Sequence, residues 1–313
     1  MHRILLVGRL EPDAEQRLAA AAQVIRAPTS DEATLVRLIG DCDALIVRTH
    51  TRVSRELLAA GRRLRVVGVA GVGTDLVDTA AAEALGIRVV NTPGAATEAV
   101  ADLTLALILL LLRPVPRLAA AYRRGEFWAA RAQPHGPELN ELTVGIVGMG
   151  RIGSRVGRIC AAGFGARVLY NDIVPVGPFD FPAASVDKPT LWAASDVVTL
   201  HLPLTDLTRG LINADVLARL RPTARLINTA RGAVVDTMAL TAALQAGRLA
   251  GAALDVTDPE PLPPDHPLFA CDRCLLTPHV AARTPGGLRR MSGVVDDVLA
   301  VLSQTAGHSP AEC

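Results

Sequence analysis

Short apolar runs alternate with polar stretches of helical pattern along the first ninety residues of the chain. The runs are rich in valine, isoleucine and leucine and occupy residues 3–8, 23–27, 44–48, 66–70 and 87–91. In the stretches between them, apolar positions recur with the period of a helix, and Ser30 stands where it would cap the second such helix. Runs of this length separated by helices are typical of βαβ units, so the pattern predicts a parallel sheet.

A second series of the same kind begins at Leu142. Before it, Pro93 and Gly94 break the chain, and a long helical pattern follows them. Residues 284–300 are predicted to form one closing helix. The chain is therefore predicted to form two α/β lobes. One lobe is expected to comprise residues 1–94 and 284–313, and the other residues 95–283.

Composition changes this picture little. The chain has 313 residues, of which 50% are hydrophobic, and its formal net charge is +1. That balance gives no electrostatic reason to expect a nucleic acid or an anionic membrane as a partner. The longest apolar run, residues 103–112, has about half the length that a bilayer needs, which favours a buried helix. No secretory signal is visible after Met1, so a cytoplasmic location is expected.

The cysteines give little sign of a metal site or a disulfide scaffold. Their number is five, and an odd number in a chain of this length does not suggest paired cysteines. Cys271 and Cys274 form a C-x-x-C motif, but a zinc site of this type needs a second pair. We therefore expect no metal and two free thiols beside a strand. Whether the two thiols have a redox role stays open.

A glycine motif opens the second lobe. Gly148, Gly150 and Gly153 form the pattern G-x-G-x-x-G between a predicted strand and a predicted helix, and the next strand ends at Asp172. The glycines permit a tight turn, close approach of backbone amides to a pyrophosphate, and packing of the helix on the strand. A carboxylate at Asp172 accepts hydrogen bonds from a ribose and repels a 2′-phosphate. The motif therefore predicts NAD in preference to NADP.

Three chemically distinctive side chains follow predicted strands of the same lobe. They are Arg231, Glu260 and His279. Each alone has an ordinary structural explanation, as a surface ion pair, a loop charge or a core histidine. Ligands bind at the carboxyl ends of strands in open α/β sheets, however, so the three are expected to meet at one site. The small residues Thr229 and Ala230, just before the arginine, leave room there for a planar group.

The chain resembles the D-isomer-specific 2-hydroxyacid dehydrogenase family over nearly its whole length. The resemblance rests on the glycine motif, Asp172 and the segments "HLPLT", "NTARG", "DPEPLPPDHPLF" and "TPH", which follow one another in the family's order. It implies a fold of two doubly wound parallel-sheet lobes, a flavodoxin-like substrate lobe and a Rossmann NAD lobe, with a cleft between them. It also implies hydride transfer between NAD and C2 of a small 2-hydroxy or 2-keto acid, as in hydroxypyruvate and glyoxylate reductases.

The resemblance implies a role for each of the three distinctive side chains. Arg231 would bind the carboxylate of the substrate and polarise its C2 oxygen. His279 would protonate that oxygen during reduction and take up the proton during oxidation. Glu260 would hold the imidazole and raise its pKa by stabilising the cation.

Further residues are assigned to ligands by the same resemblance. Those expected to contact the cofactor are Thr97, Gly148, Gly150, Arg151, Ile152, Gly153, Asp172, His201, Pro203, Thr208, Thr229, Ala230, Asp255 and Ala281. Those expected to contact the substrate are Arg48, Gly71, Val72, Gly73, Arg231 and Arg283. For Arg48, a surface charge at a strand end explains the sequence almost as well. The family also dimerises through its cofactor lobes, so a homodimer is expected, in agreement with the strongly apolar run 103–112.

Four positions depart from the family pattern and bear on the substrate. Thr257 stands where the family often has an aromatic residue, and Arg283 stands where a small residue is usual, which leaves the size and charge of the pocket open. Val69 replaces an anion-binding arginine of some phosphoglycerate enzymes, which counts against a phosphorylated substrate. Val72 replaces a lysine of phosphite-oxidising relatives, which argues against phosphite.

Two alternatives to a small-acid reductase remain at this stage. One is 3-phosphoglycerate dehydrogenase, with Arg48 and Arg283 on the distal phosphate. The other is a NAD-sensing binding protein, similar to the transcriptional corepressors that have this fold and the same three side chains. Turnover of glyoxylate or hydroxypyruvate with NADH separates the second alternative from the enzymes. The sequence identifies neither the particular 2-hydroxy acid nor the direction or pathway of the reaction.

Overall fold

The computed structural model describes residues 1–304 and divides into two compact units. The first unit comprises Met1–Ala96 and the chain from Arg283 onward, and the second comprises Thr97–Ala282. The sequence placed the corresponding boundaries after residues 94 and 283. Residues 305–313 of the predicted first lobe lie outside the described residues.

The strands within residues 1–304 are short and, wherever they pair, parallel. In chain order they are β1 His2–Val7, β2 Ala22–Ala27, β3 Ala44–Arg48, β4 Val66–Ala70, β5 Arg88–Asn91, β6 Thr143–Val147, β7 Arg167–Asn171, β8 Ala184–Ser185, β9 Val197–Leu200, β10 Arg225–Asn228, β11 Gly251–Leu254 and β12 Cys274–Leu276.

Helices separate most of the strands, as the alternating pattern predicts, but a loop joins β7 to β8 and a 3₁₀ turn lies between β11 and β12. In chain order they are α1 Pro12–Ala21, α2 Glu32–Ile39, α3 Arg55–Ala60, α4 Thr79–Ala84, α5 Thr97–Leu112, α6 Val115–Arg123, α7 Phe127–Arg131, α8 Arg151–Arg158, α9 Lys188–Ala194, α10 Ala214–Arg219, α11 Thr237–Gln245, α12 Pro285–Ser292 and α13 Val294–Gln304. Short 3₁₀ turns occur at Leu139–Glu141, Gly232–Val234 and Pro267–Ala270, and Ile159–Gly163 is a π turn that continues α8.

The first unit contains a five-stranded sheet in the order β2-β1-β3-β4-β5. Alternate residues of its central strands enter two cores. Leu5 packs with helices α2 to α4 on one face, whereas Ile4 and Leu6 pack with α1 and α13 on the other. Helices on both faces and a strand order that reverses between β1 and β3 make this unit doubly wound and flavodoxin-like, as predicted.

Two local predictions for the first unit are wrong. Asp31, and not Ser30, caps α2, because its carboxylate accepts a hydrogen bond from the Thr34 amide at 3.0 Å. The closing helix is interrupted at Gly293, so that α12 and α13 are separate helices. Glycine is among the poorest helix formers, and the break occurs where this residue stands.

The second unit contains a seven-stranded sheet in the order β12-β11-β10-β9-β6-β7-β8. Its two faces again have separate cores. Leu226 of β10 packs with helices α9 to α11, and its neighbour Ile227 packs with α5 and α8 on the opposite face. The strand order reverses between β6 and β9, which confirms the predicted Rossmann arrangement.

Helix α5 contains the apolar run that was predicted to be buried. Eight of its residues are buried, among them Leu107 and Ile108, and its residues pack on β10 and β11. The helix ends before Pro114, where the direction of the chain changes by 59° into α6. Within residues 1–304, no single helix has the length and apolarity to cross a membrane, although the bent pair of α5 and α6 has them when taken together.

Candidate active site

The glycine loop of the second unit lies at the point where the strand order reverses. Gly148 follows β6 with a φ of 90°, in the left-handed region that favours glycine. A side chain at Gly153 would overlap the carbonyl oxygen of Gly148, so α8 comes directly against the loop. Gly150 has open space where its side chain would be, and it precedes the first residue of α8. The loop therefore offers an unobstructed helix N-terminus, as a phosphate site requires.

Asp172 connects the end of β7 to this loop. One carboxylate oxygen accepts a hydrogen bond from the Met149 amide at 2.7 Å, and the other accepts one from the Val174 amide at 3.2 Å. The next two residues, Ile173 and Val174, are exposed and apolar. The carboxylate is thus fixed beside the glycines, and neither following residue supplies the cation that a 2′-phosphate would need.

The turn after β10 is built by a buried asparagine. The Asn228 side chain accepts a hydrogen bond from the Ala230 amide at 3.0 Å and donates one to the Arg231 carbonyl at 2.8 Å. Thr229 is also fixed, because its hydroxyl lies 2.9 Å from the hydroxyl of Thr104 on α5. These contacts set the backbone from which the Arg231 side chain emerges. Its Nη1 donates to the Ala230 carbonyl at 2.7 Å.

Gly232 brings this turn against the segment that contains Glu260. A side chain at position 232 would overlap the carbonyl group of Thr257. The Thr257 hydroxyl donates to the Pro259 carbonyl at 2.9 Å, so this residue closes the turn just before Glu260.

His279 and Glu260 form the closest ion pair of the second unit among the pairs described. His279 Nδ1 donates to Glu260 Oε1 at 2.6 Å, and both side chains remain partly exposed. This hydrogen bond raises the pKa of His279, and it outweighs burial, which acts in the opposite direction. Burial is the largest single influence on Glu260 and acts to raise its pKa. The hydrogen bond and charge of His279, a backbone hydrogen bond at Thr257 and the charge of Arg231 together outweigh burial, so the pKa of Glu260 is lowered. The pair therefore favours an imidazolium beside a carboxylate.

The positive charge of Arg231 acts on both members of this pair. It contributes to the lowered pKa of Glu260, and it opposes the raised pKa of His279. The structure therefore brings together the arginine, the carboxylate and the imidazole that the sequence singled out. Arg231 can receive an anion and His279 can donate a proton, which are the two contributions that a protein makes when a cofactor delivers the hydride to the carbonyl of a 2-keto acid.

Asp255 fixes the loop that contains His279. The carboxylate of Asp255 is buried, and it accepts hydrogen bonds from the Thr277 hydroxyl at 2.6 Å and from the amides of Val280 and Ala281 at 2.9 Å. The Asp255 carbonyl accepts from the His279 amide at 2.8 Å. His279 has a φ of 52°, and within residues 1–304 it is the one residue other than glycine with positive φ. Asp255 was predicted to contact the cofactor, but its hydrogen bonds to this loop were not predicted.

His201 lies at the end of β9 beside the glycine loop. Burial lowers the pKa of His201 to about 3, so its imidazole is neutral, and its Nε2 lies 3.1 Å from the Thr199 hydroxyl. A neutral ring agrees with the expectation that His201 contacts the cofactor while His279 supplies the proton. The other residues predicted to contact the cofactor also belong to the second unit; they are Thr97, Arg151, Ile152, Pro203, Thr208, Thr229, Ala230 and Ala281.

The residues predicted to bind the substrate from the first lobe all belong to the first unit. Arg48 is the last residue of β3, and Gly71 to Gly73 follow β4. The Gly71 carbonyl accepts hydrogen bonds from the amide and the hydroxyl of Thr92, at 3.0 and 3.1 Å. The Val72 carbonyl accepts one from the Asn91 side chain at 2.6 Å. The loop after β4 is therefore fixed by the residues at the end of β5.

The C-x-x-C motif is a turn with two free thiols. The Cys274 amide donates to the Cys271 carbonyl at 2.9 Å, and neither sulfur is in a disulfide. Burial raises the pKa of the Cys274 thiol to about 12, which disfavours the reactive thiolate. Within residues 1–304 there is no group of three histidine, cysteine or acidic residues that could hold a metal ion.

The chain is similar to known oxidoreductases in sequence and in structure. Residues 105–281 match the model of the D-isomer specific 2-hydroxyacid dehydrogenase, NAD binding domain. The glyoxylate reductase of Aeropyrum pernix is 42% identical over 87% of this chain and 83% of its own length.

Two solved structures of named enzymes have the same fold. The NADPH-dependent glyoxylate/hydroxypyruvate reductase of Sinorhizobium meliloti, in complex with NADP and malonate, has a TM-score of 0.87 at 35% identity and covers 96% of this chain and 94% of its own. D-lactate dehydrogenase of Aquifex aeolicus, complexed with NAD and lactic acid, has a TM-score of 0.87 at 29% identity and covers 97% of this chain and 96% of its own.

The glycine loop generates a prediction that separates stability from cofactor binding. Gly153→Ala should lower the free energy of unfolding by about 1–3 kcal/mol, because the new methyl group overlaps a backbone carbonyl that cannot move away. Gly150→Ala meets no neighbour, so it should destabilise the protein less, yet it should weaken NADH binding, because its methyl group stands where a pyrophosphate approaches. Urea unfolding and NADH fluorescence titration measure the two effects. A Gly153→Ala protein as stable as the wild type would contradict the packing described.

Proposed function

Because the chain belongs to the D-isomer specific 2-hydroxyacid dehydrogenase family, we propose that it is a NAD-dependent reductase of small 2-keto acids such as glyoxylate or hydroxypyruvate. The observation that carries this proposal is the 2.6 Å hydrogen bond between His279 and Glu260, with the charge of Arg231 beside it. These three side chains combine a proton donor and an anion receptor near the carboxyl ends of strands in the second unit.

Arg231 binds the carboxylate of the keto acid in this proposal. The guanidinium presents parallel N–H groups to the two carboxylate oxygens, which orients the substrate as well as attracting it. The same positive charge polarises the C2 carbonyl and stabilises the negative charge that develops on its oxygen during reduction. The turn fixed by Asn228 and closed against Thr257 at Gly232 gives this side chain a rigid base.

His279 delivers the proton to the C2 oxygen. The pair with Glu260 keeps the imidazole protonated to a higher pH than an isolated histidine, which suits a reductase working near neutral pH. Arg231 opposes this effect, so the carboxylate is needed to keep the cation stable beside the arginine. In the oxidative direction the same imidazole, once neutral, takes the proton from the hydroxyl group.

The second unit fits a dinucleotide cofactor. Gly148, Gly150 and Gly153 leave the N-terminus of α8 open, and Asp172 lies beside them with its carboxylate oriented by two amides. When bound, the nicotinamide supplies or accepts the hydride at C2. We assign the pyrophosphate to the glycine loop and the adenosine ribose to Asp172, and we expect NAD to be preferred over NADP.

The first unit is proposed to supply the remaining substrate contacts. The carbonyls of Gly71 and Val72 are occupied by Thr92 and Asn91, whereas the amides of Val72 and Gly73 have no partner within residues 1–304. Free backbone amides suit a carboxylate.

Activity with a panel of 2-keto acids tests the proposed function. The protein should oxidise NADH with glyoxylate or hydroxypyruvate, and kcat/KM for NADH should exceed that for NADPH because Asp172 repels a 2′-phosphate. His279→Ala should reduce the rate by about 10²–10⁴-fold while NADH still binds. The readout is NADH absorbance. No turnover of any keto acid would refute the proposed function, and an equal or greater kcat/KM for NADPH would remove the role given to Asp172.

A homodimer is the assembly that we propose. Tyr122, Phe127 and Trp128 on α6 and α7 are exposed and pack edge to face, at centroid distances of 5.6 and 4.9 Å. An exposed apolar cluster of this kind is typical of an interaction surface. The apolar run within α5 supports a homodimer less than the sequence suggested. Much of that helix is already buried inside the second unit, so it needs no partner to cover it.

Light scattering at micromolar concentration tests the assembly. The wild type should have the mass of a dimer, and Trp128→Glu should shift the protein towards monomer because a charge would be buried at the interface. Met238→Glu is a matched control, since Met238 is an exposed apolar residue elsewhere in the same unit. A monomeric wild type would contradict the proposal.

A cytoplasmic location completes the proposal. The four cysteines within the described residues, Cys42, Cys160, Cys271 and Cys274, are all free thiols, and such thiols persist in a reducing compartment. Cell fractionation measures the location, and recovery with secreted proteins would contradict it.

A further inference from the structure

A buried threonine interrupts the apolar run of α5. Thr104 is the one polar side chain among the eight buried residues of this helix, every residue of which the structure describes. Threonine is a poorer helix former than leucine or alanine, and burying its hydroxyl costs free energy unless the hydroxyl is hydrogen-bonded. Valine has nearly the same shape and avoids that cost. Packing alone therefore does not explain a threonine at this position.

The Thr104 hydroxyl has two hydrogen-bond partners. It donates to the Val100 carbonyl, one helical turn earlier, at 2.7 Å, and it lies 2.9 Å from the hydroxyl of Thr229. A hydroxyl has one proton, and a carbonyl can only accept. Because the proton of Thr104 goes to Val100, the proton between the two hydroxyls comes from Thr229. Donation therefore runs from Thr229 to Thr104 and from Thr104 to Val100.

This order of donation attaches the turn after β10, residues 229–231, to α5. The side chain of Asn228 also holds the turn, through the Ala230 amide and the Arg231 carbonyl, but it joins the turn only to the strand end that leads into it. Thr229 is buried, and its bond to Thr104 is the one side-chain hydrogen bond that it forms within residues 1–304. The oxygen of Thr104 is thus what connects this side chain to a second element of the unit.

The turn contains three residues with proposed contacts to ligands. Thr229 and Ala230 are assigned to the cofactor, and Arg231 is assigned to the keto acid. A movement of the turn would displace all three together. Misplacement of reacting groups by about 1 Å can cost about 100-fold in rate, so the position of this turn bears on cofactor binding and on turnover.

We propose that Thr104 is a positioning residue of the active site, which holds the turn of residues 229–231 on α5 by accepting the hydrogen bond of Thr229. The inference rests on the proposed function and adds to it a residue that has no exposed surface for a ligand to contact. Without the Thr104 oxygen, the buried hydroxyl of Thr229 loses its acceptor. It must then rotate towards another group or move with its backbone, and either change alters the surface that the turn presents to ligands.

Thr241 of α11 offers a matched control in the same unit. It is buried like Thr104, and its hydroxyl donates at 2.7 Å to the Thr237 carbonyl, one helical turn earlier. Among the described residues, no second side chain shares this hydroxyl. Thr241→Val therefore removes the same kind of buried hydroxyl from a helix without taking an acceptor from a partner.

Fluorescence titration with NADH and steady-state kinetics test the inference. Thr104→Val should weaken NADH binding by about twofold to tenfold, as expected for the loss of one hydrogen bond, and should lower kcat/KM for glyoxylate or hydroxypyruvate by at least as much. Thr104→Ser keeps the oxygen and should restore both values to nearly those of the wild type. Thr241→Val should leave both unchanged. NADH binding by Thr104→Val as tight as that of the wild type would overturn the inference.

A double-mutant cycle separates positioning from a general loss of stability. If Thr104 acts through Thr229, the variant with both Thr104→Val and Thr229→Val should bind NADH no more weakly than Thr229→Val alone. Fully additive losses would contradict the inference. The titration needs no turnover, so it decides the role of Thr104 even where no keto acid is reduced, a result that would refute the proposed reaction alone. A wild type that binds no NADH would overturn both.

Discussion

The carboxylate of Asp255 is the contact on which the arrangement of the active-site candidates depends. It is buried, and it accepts hydrogen bonds from one hydroxyl and two amides of the loop that contains His279. Those bonds hold the histidine backbone in the left-handed region, which most residues avoid at a cost of about 1–3 kcal/mol. With the backbone in this conformation, Nδ1 of the imidazole lies 2.6 Å from Oε1 of Glu260. The other described hydrogen bond of this backbone, from the His279 amide to the Thr277 carbonyl at 3.0 Å, lies within the loop itself. The Asp255 contacts are therefore the ones that attach the loop to the end of β11 and orient His279 towards Glu260.

The electrostatic balance of the three side chains follows from the same geometry. Glu260 stabilises the imidazolium, and Arg231 destabilises it, so the pKa of His279 depends on the net result of two opposed neighbours. An arginine alone beside the histidine would favour the neutral ring, which has no proton to give. The carboxylate therefore permits an anion receptor and an acid to function side by side. The side chains of His279 and Glu260 are partly exposed, so solvent screens the charges and reduces their effect on the pKa of His279.

The features that could be predicted from the sequence are those that depend on residues close together along the chain. Strand positions followed from runs of apolar residues, and the glycine loop followed from turn chemistry, since Gly148 and Gly153 occupy places where a side chain does not fit. The cap at Asp31 was missed because the neighbouring Ser30 can fill the same role. The break at Gly293 was missed because a single glycine inside a helical pattern does not by itself end a helix. The four hydrogen bonds that Asp255 accepts were missed because they join the ends of two different strands, which come together only in the folded sheet.

The pH dependence of kcat/KM for reduction, measured in the wild type and Glu260→Gln with NADH saturating, tests the central claim most directly. Reduction needs the protonated imidazole, so kcat/KM should fall as the pH rises through the pKa of His279. Glu260 raises that pKa, and the variant loses the negative charge while keeping nearly the same shape. The account predicts that the fall begins at a lower pH in Glu260→Gln than in the wild type. An identical fall in both proteins would contradict the pairing of Glu260 with His279 and its place in the site.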